Sequence, residues 1–228
     1  MLKELFNLFK EDSLLDEAYQ RSFEMLKITG EMYKESKKSL REKDINQMEI
    51  HVYDMDIEVN KFQREVRRNV FNHLVVSGSE DAYSALVLAS VVIDIERIGD
   101  YTKNVVDLAS NHPERLSGGA YEEDLLKIEE AVENTFTRVP ELIANADPDG
   151  ARALLDEYRW VNSICTQHET DYVKNADKTV TTQTAVALAL YFRYLKRINS
   201  HLRNIATSVV NPFDYIGFTH KLGKGEEE

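Results

Sequence analysis

The chain has 228 residues, 43% of them apolar and 30% charged, proportions that suit a globular fold in water. Its 40 Asp and Glu against 28 Lys and Arg give a formal charge of -12, which argues against a broad basic face for DNA or RNA. Only 9 Gly and 4 Pro are too few turn residues for an all-β chain of this length, so the composition points to long helices.

The chain opens on an amphipathic stretch, Leu2, Leu5, Phe6 and Phe9. It is expected to pack on the body, because its charge and short apolar part do not suit a secretory leader. Six helical segments follow. The first is expected over 14–40, with Phe23, Leu26, Ile28 and Met32 among its apolar positions; the second over 45–74, with Ile57, Phe62 and Val66. Ser77, Gly78 and Ser79 interrupt the pattern, and either serine is a candidate cap for the third helix, over 81–109. Asn111, His112 and Pro113 end that helix, since proline cannot continue the hydrogen-bond ladder. A fourth helix is expected over 121–144, then a turn at Ala146, Asp147, Pro148, Asp149 and Gly150. The fifth spans 152–174 and the sixth 181–209, stopped by Asn211 and Pro212; the tail from Lys221 is polar. The longest apolar run, Ala185 to Phe192, is far too short to cross a bilayer. The single Cys165 excludes an intramolecular disulfide and lies on an apolar helix face, where core packing is its expected role.

The two halves resemble each other at an offset of 100 residues. Ala85, Leu88, Ala89, Arg97, Ile98 and Asn104 recur as Ala185, Leu188, Ala189, Arg197, Ile198 and Asn204 without a gap. A repeated three-helix unit accounts for this. The expected fold is all-α, two tandem antiparallel three-helix bundles, with 1–112 as the first and 113–228 as the second, divergent one.

The segment Val91 to Asp100 carries the most chemical information. Glu96 and Asp100 are four apart, so they share one helical face although like charges there repel. A bound cation would turn that cost into a site, because hard metals take carboxylate oxygens. Asn104 extends the face, and Gly99 lets a neighbouring backbone approach. The second helix offers a facing row of His51, Asp54, Asp56 and Asn60 if the two helices run antiparallel. The bland alternative is a solvated acidic face, with Arg97 paired to Glu96 or Asp100. In the second half Glu96 becomes Lys196, Gly99 becomes Asn199 and Asp100 becomes Ser200, so one half should bind metal better than the other. Asp156, Glu157, His168, Glu169 and Asp171 are its alternative donors, and His201 is expected to be structural. The basic positions Arg193, Lys196, Arg197 and Arg203 suggest intrachain carboxylate contacts or a local partner.

At these residues the chain resembles the PhoU family of phosphate-transport regulators. The family phrase is close to Leu-Glu-Arg-Ile-Gly-Asp-His followed by Asn. It is matched by Ile95-Glu-Arg-Ile-Gly-Asp100-Tyr101 with Asn104. Leu195-Lys-Arg-Ile-Asn-Ser200-His201 with Asn204 matches only as a scaffold. The resemblance implies two three-helix bundles and metal ions held by the acidic motif. It implies iron or zinc first, with manganese or magnesium as further candidates, at Glu96 and Asp100 with Asp56 and Asn60 contributing. It further implies a cytoplasmic, non-enzymatic adaptor between the ATPase of a phosphate ABC transporter and a sensor histidine kinase. Membrane association would be peripheral, through partners. Independently of the resemblance, the apolar stripe Phe23, Leu26, Met32 and Tyr33 on the first helix reads either as core or as a homodimer face. A second implied reading is a regulator of a sodium/phosphate or other ion carrier. A carboxylate-bridged metal enzyme would need a Glu-x-x-His element, which the sequence lacks at His73, His168 and His201.

Overall fold

The computed structural model describes residues 13–42, 48–174 and 177–218; the amphipathic stretch at Leu2 to Phe9 and the tail from Lys221 lie outside them. Seven α-helices and two single-turn 3-10 helices make up the described residues, with no strand among them. The helices are α1 (Leu14–Arg41), α2 (Met48–Ser77), α3 (Ala82–Asn111), α4 (Glu122–Ala144), α5 (Pro148–Glu157), α6 (Val161–Val173) and α7 (Thr182–Val210). None is long and apolar enough to cross a membrane.

Helix α1 starts on a capping box. The Ser13 hydroxyl accepts from the Asp16 amide, and the Asp16 carboxylate accepts from the Ser13 amide. Acids in its first turn and Lys38 and Arg41 in its last complement the helix dipole. Its buried row includes Met25, Leu26, Met32, Tyr33 and Leu40. It meets Val52, Met55, Val59, Phe62 and Val66 of α2 and Leu88, Val92, Ile95 and Ile98 of α3 in one apolar cluster. Ile57 breaks the sequence expectation: it lies on the outer face of α2 and is two-thirds exposed.

Two expected boundaries differ for local reasons. Neither Ser77 nor Ser79 caps α3. Asp81 holds the cap position, but its carboxylate is bonded to His73 at 2.9 Å rather than to a helix amide. The Asp147 to Gly150 turn signal is instead a helix start. Asp147 accepts from the Gly150 amide at 2.9 Å, and Pro148 occupies the first helical position, where a missing N–H costs nothing. The expected fifth helix is therefore two helices, α5 and α6, separated by a turn at 158–160.

Helix α7 is the axis of the second bundle and packs on α4, α5 and α6. It also runs along α3, so the two halves meet across the repeated helices themselves. The pairing is antiparallel: Asp94 meets His201, while Tyr101 meets Arg197 further along. His201 and Asn204 both donate to Asp94, at 2.6 and 3.1 Å, which gives His201 the structural role expected of it. A second tie joins α1 to α4. Tyr33 stacks on Phe136 at 5.3 Å, and Arg41, nearly fully buried, pairs with Glu129 at 3.1 Å and with Glu122. Tyr191 of α7 donates to the same Glu129 at 2.7 Å.

Candidate functional site

Helices α2 and α3 run antiparallel, as the facing-row argument requires. Tyr53 bonds Asp107 near one end, and Lys103 bonds Asp56 one turn further along. Gly99 sits where the two helices approach. A Cβ built there would lie 3.6 Å from Asp56 Oδ1 and 3.7 Å from Val59, ordinary contact distances, so the position has room for a methyl but not for a larger side chain.

Asp56 is buried, and its two oxygens have different fates. Oδ2 accepts from Asn60 Nδ2 at 2.9 Å and from Lys103 Nζ at 2.7 Å. Oδ1 is buried with no hydrogen-bond partner. A buried carboxylate oxygen without a donor is costly and marks a place where a cation would be welcome. Asp100 lies beside it, bonded by Lys103 Nζ at 3.2 Å and by Arg97 at 3.0 Å. Glu96 is one turn away, 3.8 Å from Arg97. Its pKa is raised, first by partial burial and then by repulsion from Asp100 and Asp56, which Arg97 and Lys103 only partly offset.

The four expected site residues thus lie on facing stretches of α2 and α3, but with a component the sequence reading missed. Lys103 sits between Asp56 and Asp100. Burial works against its charge, yet the hydrogen bond and attraction from Asp56, then Asp100, outweigh it and raise its pKa. Among the described residues no three metal-binding side chains converge on one point, because the ammonium occupies the place between the carboxylates. Asn60 donates to Asp56 and so positions it. The signal for Lys103 was its spacing: it lies three residues after Asp100 on the same face. A cavity of about 370 Å³ opens beside Asp100, Lys103, Asn104 and Asp107.

The remaining candidates separate. His51 bonds Glu35 at 2.9 Å, and Asp54 and Glu58 are exposed. Glu157 pairs with Arg138, His168 with Asp124 at 2.9 Å, and Glu169 with Arg193 at 3.0 Å. These are structural ties between helices. Cys165 is fully buried.

Fold and site together define an all-α protein of two helical bundles joined along repeated helices, with an acidic cluster on one of them. Residues 23–109 match the family model described as PhoU domain. Solved structures that share the fold include two PhoU proteins. PhoU from Pseudomonas aeruginosa superposes with a TM-score of 0.75 at 19% identity, over 86% of this chain and 95% of its own. The phosphate transport system regulatory protein PhoU from Streptococcus pneumoniae gives 0.76 at 14% identity, over 92% and 98%. No curated protein matches the chain by sequence. Residues 23–109 of the first bundle thus match the PhoU domain model, and the chain as a whole shares the fold of PhoU proteins.

Proposed function

We propose that this protein is a non-enzymatic regulator of phosphate transport whose first bundle binds a metal ion at Asp56, Asp100 and Glu96. The observation that carries the metal reading is the buried, unpartnered Oδ1 of Asp56, beside Gly99 and within a cluster of carboxylates. Hard oxygen donors in this number suit a divalent cation such as iron, zinc, manganese or magnesium. The ion supplies positive charge that offsets the repulsion among these acids. Asn60 steadies Asp56 while Lys103 holds the same carboxylates, so metal entry requires the ammonium to leave. Metal binding and release of Lys103 into the neighbouring cavity are then one event, which links occupancy to the shape of the surface between α2 and α3.

The regulatory reading rests on the domain match over the first bundle and on the shared fold. In it the protein works in the cytoplasm as an adaptor between a phosphate transporter's ATPase and a sensor histidine kinase. Elemental analysis of the purified protein beside an E96A/D100A variant tests the metal site: the variant should lose most bound metal, and equal contents would overturn the assignment. Co-purification with the transporter ATPase and with the kinase tests the adaptor role. Association with a sodium/phosphate carrier in their place would favour the alternative partner.

A further inference from the structure

The second bundle repeats the geometry of the first with its local charges reversed. Shifting α2 by 106 positions lays its buried residues Met55, Val59, Phe62 and Val66 on Val161, Cys165, His168 and Tyr172 of α6, which are also buried. In that register Asp56 falls on Asn162. The contacts agree: Asn199, which stands in the place of Gly99, donates to Asn162 at 3.0 Å, and Asn162 donates to Ser200 at 2.9 Å. Along α7 the 100-residue offset turns Asp100 into Ser200 and Asp107 into Thr207, while Lys103 becomes Arg203. Both carboxylates that hold Lys103 in the first bundle are therefore gone around Arg203, but the cation remains.

Among the described residues Arg203 is left without a paired anion. Its Nη1 donates to the Leu155 carbonyl at 2.6 Å. Among the described residues it makes no ion pair with any carboxylate. Its pKa is lowered, chiefly by burial and further by repulsion from Arg159, against a partial pull from Asp156. A partly buried guanidinium that lacks an anion favours acquiring one. It faces a cavity of about 400 Å³ that also takes in Arg152, Asn162 and Ser200, with Leu155 and Phe218 as apolar wall. That is an ordinary size for a small-molecule site. The counterpart cavity of the first bundle carries Asp100 and Asp107.

We propose that this cavity binds a phosphoryl oxyanion, as inorganic phosphate or as the phosphate of a small organic ester. Arg203 supplies the charge; Arg152, at the cavity wall and ion-paired to Asp149 at 2.8 Å, adds a second guanidinium, and Asn162 with its second amide hydrogen supplies a neutral donor. The fork of guanidinium N–H groups matches a phosphate in shape as well as charge. Asp156 lines the same wall and opposes the anion, so it lowers the affinity. The apolar wall gives an ester, rather than free phosphate, a place for its organic part. The inference is independent of the metal reading, which concerns different residues.

The test is isothermal titration of the full chain with inorganic phosphate, AMP and adenosine. Phosphate or AMP should bind and adenosine should not. R203Q should weaken binding at least about tenfold, the worth of a charge-assisted hydrogen bond. D156N should tighten it. Tighter binding of AMP than of phosphate identifies the ester as the source, and equal binding identifies free phosphate. If R203Q fails to fold, R152Q, at an exposed position on α5, provides the same readout with a smaller loss. Failure of both phosphate and AMP to bind the wild type at millimolar concentration, or unchanged binding in both arginine variants, overturns the proposal.

Discussion

Replacing Lys103 by methionine separates the internal cation from an external one. The ammonium is 2.7 Å from Asp56 Oδ2 and 3.2 Å from Asp100 Oδ1, and Asp56 is only 10% exposed in its side chain. Hydrogen bonds to charged groups contribute about 1.5–3 kcal/mol net, and the unpaired carboxylates left behind add repulsion. Without metal, K103M should therefore be less stable than wild type by about 2 kcal/mol. Metal binding should change in the opposite direction. Wild type must break the lysine contacts before a metal gains the same carboxylates, and K103M need not, so its affinity should rise by roughly thirtyfold for the same 2 kcal/mol. The assay is urea unfolding of metal-stripped protein, followed by titration with zinc or manganese monitored by calorimetry. A saturating metal should restore the lost stability, since ligation of the native state alone raises it by about 2.7 kcal/mol at a hundred times Kd. Equal metal affinity in the two proteins would refute the competition. An unchanged metal-free stability would refute the claim that the ammonium holds the two helices together here.

The buried Arg41 tie predicts a large single-site effect: R41M strands Glu129, already pushed up in pKa by burial, and should cost about 3–5 kcal/mol in denaturant unfolding, more than R41M/E129L together. Glu129 also gives this variant a pH signature. Without Arg41 its folded pKa rises further, so the stability lost by R41M should be smaller at low pH, where Glu129 is neutral, and grow as pH rises through that value. Cys165, with its thiol pushed up to about 12 by burial, should resist an aromatic disulfide reagent at neutral pH and react only as the protein unfolds; fast labelling of the native chain would contradict its place in the core. G99A should be tolerated and even stabilise by up to about 1 kcal/mol, because the new methyl meets Asp56 and Met32 at ordinary contact distance, whereas G99L should push α2 away and lower thermal stability and metal content together.

The repeat and the apolar spacing made the helices legible. Ile95, Ile98, Ile198 and Leu202 are buried where periodicity puts them. Boundaries were less legible because capping is a contest between groups. Ser77 and Ser79 read as caps, yet Asp81 takes that position and its carboxylate goes to His73, and Pro148 reads as a turn until Asp147 shows it to be a helix start. The break at 158–160 has no proline or glycine to announce it, so the fifth segment read as one helix.

The sequence by itself determined an all-α chain, the repeat, and the acids of the first bundle with their loss from the second. Those properties follow from residue type and from spacing along one helix, which local geometry fixes. Only the tertiary structure decided which partners these groups meet. It put the Lys103 ammonium between Asp56 and Asp100, left one Asp56 oxygen without a donor, and assigned Asp94 to the seam with His201 and Asn204. It also turned Arg203 from one basic residue in a run into a cation facing a cavity. A charge on one helix face has a fixed direction, but its energy depends on the neighbour supplied by another helix, and that neighbour is set by packing.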